Sequence, residues 1–210
     1  MADTSVDWEL ARQVATKIGD RNSAVSSYHY GTLSPDFERF TAQAEELVAE
    51  TTGLISQMGN ARGRVADRPM WIDANIESFQ RLLKPLSKKL VNPDTSLLKE
   101  FGSKASGAEM GMLLGWMSGR VLGQYDLLII EDENPEDQDI VYYVGPNVLA
   151  IEKKYGFPPE EFRLWLALHE CTHRAQFTGV PWLRDHFLGL VNKTLSLIHI
   201  SEPTRPVLIA

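Results

Sequence analysis

The stretch from Gly156 to Val180 constrains the fold more than any other, because its signals specify one long helix with a definite start and stop. Pro158 and Pro159 suit a first turn, where a missing N–H costs nothing, and Glu160 and Glu161 place negative charge at the positive end of the helix macrodipole. Gly179 and Pro181 supply the stop. Between them Phe162, Trp165, Leu166, His169 and His173 recur three and four residues apart, so one stripe begins apolar and ends in two imidazoles. Such a face belongs where a core meets a cleft.

The five residues His169-Glu170-Cys171-Thr172-His173 give that face its chemistry. Histidines four apart on a helix hold their Cβ atoms roughly 5–6 Å apart, which lets a nitrogen of each reach one tetrahedral metal ion. Glu170 stands beside the first ligand, placed to take a proton from water, and the implied reaction is hydrolysis of a peptide or amide. Zn2+ is the expected metal, held by His169 and His173, with Glu170 as the catalytic base. The competing reading is two histidines that cap or satisfy a buried polar patch. Gln176 and Gly179 stand where one zinc-protease pattern requires Gly and His, so that pattern is excluded. Asp185 and His186 are the nearby candidates for a third ligand, set against their reading as the polar face of the next helix; otherwise the ligand lies past the end of this chain. Cys171, flanked by metal-binding positions, reads as a small buried packing residue rather than a nucleophile or ligand.

Composition narrows the remaining classes. A chain of 210 residues, 43% of them apolar, can bury one substantial core. Its net charge of −7 and scattered basic residues argue against DNA or RNA. Met1 to Asp7 has neither a basic nor an apolar leader region, and a single cysteine excludes an internal disulfide, so a cytoplasmic location is expected. Glycines at 107, 111, 115, 119 and 123 form a bare ridge if Gly107–Gly123 is helical. Its charge-free run between Glu109 and Arg120 falls short of the roughly 20 residues a membrane span needs, so it reads as a central buried helix, packed on the motif helix.

The remaining periodicity predicts helices over Val6–Ile18, Pro35–Met58, Met70–Leu83, Val148–Tyr155 and Val180–Lys193. Gly59–Arg68 reads as a Gly and Arg loop, and Arg21–Ser34 as a polar link holding Tyr28, His29 and Tyr30. Asp126–Ile130 and Ile140–Val144 are β-prone runs joined by a solvated acidic segment, Glu131–Asp139, which suggests a hairpin. The fold class is mainly α, or α+β with a small β-hairpin.

Four segments in order carry a wider likeness: RPMWIDANIESFQRLLKPL, GMLLGWMSGRVLGQYD, YYVGPNVLAIE and FRLWLALHECTHRAQFTGVPWLRDHFLGLV. Together they resemble the actinobacterial zincin-like metallopeptidase family, often described as associated with biosynthesis of the deazaflavin coenzyme. The resemblance covers the chain to about Lys193 and implies a mainly helical zincin-like fold, zinc on His169 and His173, Glu170 as base, and a peptide or protein substrate. Arg174 departs from it by placing a charge directly after the second histidine. The C-terminal stretch from Ser196 to Pro206 resembles translated sequencing-adaptor read-through. Residues 1–194 are therefore expected to form the domain, truncated at its C-terminus, with 195–210 a non-native tail. Two further readings stay open: a non-catalytic helical binding module retaining a degenerate zincin site, and a helical assembly protein using the glycine ridge as an oligomer interface.

Overall fold

The structure is a computed structural model that describes residues 6–19, 28–87, 96–125, 127 and 139–198. Seven helices and three strands are built from these: α1 (Trp8–Gly19), α2 (Leu33–Thr52), β1 (Arg62–Ala66), α3 (Arg68–Ser87), α4 (Ser96–Ser118), β2 (Gly123–Tyr125), β3 (Ile140–Val144), α5 (Gly145–Tyr155), α6 (Pro159–Gly179) and α7 (Leu183–Ile198). The mainly helical class with a small sheet is as the sequence predicts.

At the centre of the sheet lies β3, all five of whose residues are buried. An uninterrupted Ile-Val-Tyr-Tyr-Val run suits a strand covered on both faces. On one side Val141 and Tyr143 join Phe37 and Phe40 of α2 and Leu166, Ala167 and Cys171 of α6 in the larger core. Tyr143 stacks on Phe37 with ring centroids 3.9 Å apart, and its hydroxyl shares a hydrogen bond with the Thr41 hydroxyl. A second core gathers Ala15, Trp71, Ile72, Ile76, Leu114 and Val144 from α1, α3, α4 and the end of β3.

The expected antiparallel pairing into β3 is present, and the sheet extends it. Its order is β1-β3-β2, with β1 parallel and β2 antiparallel to β3. The strand preceding β3 is Gly123–Tyr125, three residues earlier than expected; of 126–130 only residue 127 is described, as a bend. The expected Gly and Arg loop contains β1, whose Arg62 and Arg64 are exposed while Gly63 fits under α2, where a Cβ would fall 2.5 Å from the Thr41 hydroxyl. Close approach to a helix, not β-propensity, makes this an edge strand.

Helix boundaries shift for local reasons. Gly53, with φ +72°, ends α2 at Thr52 rather than Met58. Asp67 accepts the Met70 N–H at 2.8 Å and caps α3, which continues beyond the expected Leu83 to Ser87. The glycine ridge belongs to α4 only at 107, 111 and 115, since Gly119 lies in a turn and Gly123 in β2. It packs on α1, not on the motif helix: a Cβ on Gly111 would lie 2.6 Å from the Ala11 carbonyl, and one on Gly115 would lie 2.8 Å from that of Ala15. The boundary expected at residue 195 falls inside α7, and residues 199–210 lie outside the described residues. Among the described residues no helix is long and apolar enough to cross a membrane.

Candidate metal centre

The geometry of the motif follows from how α6 is clamped. Two buried arginines fix its inner side. Arg163 makes a two-pronged pair with Glu152 of α5 at 2.7 and 2.9 Å and reaches Asp36 of α2 at 2.6 Å. Arg174 donates to both oxygens of Asp139 just before β3, to Glu45 of α2 at 2.6 Å and to the Gly59 carbonyl at 2.8 Å. Planar guanidinium forks matched to carboxylates are the usual way such charges survive burial. The charge after the second histidine therefore points away from it, 1% exposed. Asp139, expected in a solvated acidic segment, is buried beneath Arg174 and adopts φ +55°, a conformation aspartate tolerates better than most residues.

With that side locked, Trp165, His169 and His173 face outward. The imidazole centroids are 4.8 Å apart with planes at 88°. Burial, and then the neighbouring His173, hold the His169 pKa below its ordinary value, which favours the neutral ligand form. Nδ1 of His173 lies 3.4 Å from Oε1 of Gln176 one turn on.

Glu170, one step round the helix, is only 5% exposed. It lies against β2: the Tyr125 backbone N–H donates to its carboxylate, and a Cβ on Gly123 would fall 2.7 Å from Glu170 Cγ and Oε1. Only glycine lets the strand come this close. Burial outweighs the Tyr125 hydrogen bond and pushes the Glu170 pKa up to about 7. A carboxyl poised near neutrality suits exchange of protons with water.

The chain thus brings together all three residues singled out from its sequence. Two imidazoles presented to one side are nitrogen donors of the kind that suits zinc, with the Glu170 carboxyl next in sequence to the first. Asp185 and His186 do not join it: both are exposed on α7, where the His186 ring meets Trp182 edge-on. Among the described residues no group of three His, Cys, Asp or Glu could hold a metal ion. Cys171 is buried, its thiol donating to the Thr41 carbonyl and pushed up to about 12 by burial, as a packing residue should be. His29 lies in a short 3-10 turn spanning Tyr28–Thr32. Sequence reading placed Gly123 at the end of the glycine ridge and missed its strand, and with it the approach of Gly123 and Tyr125 to Glu170.

Comparison with known proteins identifies the family. A family model described as zincin-like metallopeptidase matches residues 6–207. No curated protein matches the chain. A crystal structure of a proposed hydrolase with a novel fold, from Chloroflexus aurantiacus, superposes with a TM-score of 0.68 at 33% sequence identity over 91% of this chain. The chain spans 59% of that protein's length.

Proposed function

The chain belongs to the zincin-like metallopeptidase family, and from that premise we propose that it is a zinc-dependent hydrolase of peptide or protein substrates. The observation that carries the reading is the pair of outward imidazoles 4.8 Å apart with the buried carboxyl of Glu170 alongside. His169 and His173 would hold the zinc, which when bound supplies a Lewis acid for the carbonyl under attack and acidifies water. Glu170 takes the proton of the attacking water and passes it to the departing nitrogen. Tyr125 keeps the carboxylate oriented through its backbone N–H.

A peptide substrate is favoured by β2, the edge strand nearest this carboxyl. The Leu122 carbonyl accepts from the Val144 N–H, so alternation along the strand turns the backbone groups of Gly123 and Tyr125 away from β3. On that side the Tyr125 N–H already serves Glu170, so an extended chain would pair through the Gly123 groups and the Tyr125 carbonyl. The test is metal content followed by turnover. The wild type should hold about one equivalent of zinc, Glu170→Gln should keep the metal and lose hydrolysis, and His169→Ala should lose both. Less than a tenth of an equivalent would remove the site. Bound zinc with no cleavage across a broad peptide library would leave the non-catalytic binding module.

A further inference from the structure

We propose that the aromatic row running along α6 into the two imidazoles is a side-chain subsite, selecting polypeptides with a large aromatic residue beside the bond to be cut. This rests on the reading of His169, His173 and Glu170 as a hydrolytic site. The row is unbroken: Phe157 and Phe162 centroids lie 5.2 Å apart, Phe162 and Trp165 lie 6.1 Å apart at 14°, and Trp165 and His169 lie 5.9 Å apart at 24°. It is also open, with Trp165 56% and Phe157 42% exposed. Large contiguous apolar surface of this kind is uncommon on a folded domain unless it recognises something.

Two observations select the occupant. The row is continuous with the site, because its next ring after Trp165 is His169 itself, so a group stacked on the indole lies within about one helical turn, 5.4 Å of rise, of the donor pair. On the other side of Glu170 lies the edge of β2, and a chain paired there is extended, sending alternate side chains to opposite faces. One of those faces is α6. The subsite presents ring faces rather than a cation, and exposed Glu161, one turn before Trp165, opposes acidic side chains.

The test uses the zinc-loaded full chain on a mixed-sequence peptide library, with products read by mass spectrometry. It adds a peptide pair that differs only by Phe or Ala beside the bond cut, or, where nothing is cut, at the centre of a ten-residue sequence. Bonds flanked by Phe, Tyr or Trp should be enriched about tenfold, and Trp165→Ala should lower kcat/KM about tenfold on the Phe peptide but under about twofold on the Ala peptide. Trp165→Phe should restore the preference. Titration calorimetry of the same pair into Glu170→Gln should give about fivefold tighter binding of the Phe peptide, a difference abolished by adding Trp165→Ala. Cleavage without aromatic enrichment, or equal losses on both peptides, would overturn the subsite and leave the hydrolase standing. No cleavage with the binding preference intact would do the reverse. Conversion of a dimer to a monomer by Trp165→Ala would show the row covered by a second copy and would also overturn the subsite.

Discussion

Replacing Glu170 by glutamine should stabilise the metal-free protein, and only at high pH. Burial raises this carboxyl from an ordinary 4.5 to about 7, so the folded state binds its proton more tightly than the unfolded chain does. The stability this protonated group contributes is fully present below pH 4.5 and is lost as pH rises to about 7, because the folded chain must then carry a buried anion. At 1.36 kcal/mol per pH unit that window amounts to ~3 kcal/mol, an upper value since the surroundings relax. Glutamine keeps the shape and an oxygen for the Tyr125 N–H but cannot ionise. Urea unfolding of both proteins with chelator, at pH 4, 5.5, 7 and 8.5, isolates the effect, since every other titrating group is common to the pair. The midpoints should coincide at pH 4 and separate progressively, the variant ahead, with unchanged m-values. A constant offset at all pH values, or a variant less stable at pH 8.5, would refute the burial argument.

Other consequences can be measured on the same material. Arg174→Met strands Asp139, which is 4% exposed, and should cost about 3–5 kcal/mol in urea unfolding; adding Asp139→Asn should recover more than half. Gly111→Ala should destabilise by about 1–3 kcal/mol because its Cβ meets the Ala11 carbonyl and the Val14 side chain, despite the better helix former. Gly102→Ala in the same helix meets nothing within 4 Å and should stabilise by about 0.5–1 kcal/mol, seen as a higher Tm. Cys171, with its thiol pushed up to about 12 in the core, should resist iodoacetamide at pH 8 in the native protein and react promptly in 8 M urea, a concentration taken as roughly fully denaturing.

What could be read from the sequence was whatever is specified locally. The prolines and glutamates at the start of α6, the three-and-four spacing of its stripe and the β-branched and aromatic run of β3 state their structure within a window of a few residues. Asp67 likewise announces the cap of α3. What could not be read depends on partners distant along the chain. Arg62, Gly63 and Arg64 have no strand signal of their own; they become β1 because β3 offers a parallel edge and Gly63 fits beneath Thr41. Asp139 looks like one more solvated acid until Arg174, 35 residues on, is brought over it. The glycine ridge announced a close helix contact, but its partner, α1, is named only by the fold.

One helix can be a structural keystone and still present an open stripe because its faces have different duties. Arg163, Leu166, Ala167, Cys171, Arg174 and Ala175 form the inner side, held by ion pairs to α2 and α5 and by apolar contacts. A turn of α6 about its axis would therefore break two buried guanidinium clusters before it moved either imidazole, each such break worth several kcal/mol. The outer stripe can then be open without being loose, which is what pre-placed donors require. Glu170 sits between the two regimes, buried enough by β2 to hold its proton near neutrality yet next in sequence to His169. The position that decides this balance is Gly123: any side chain there must displace either the strand or the carboxyl, and with it the hydrogen bond from the Tyr125 N–H.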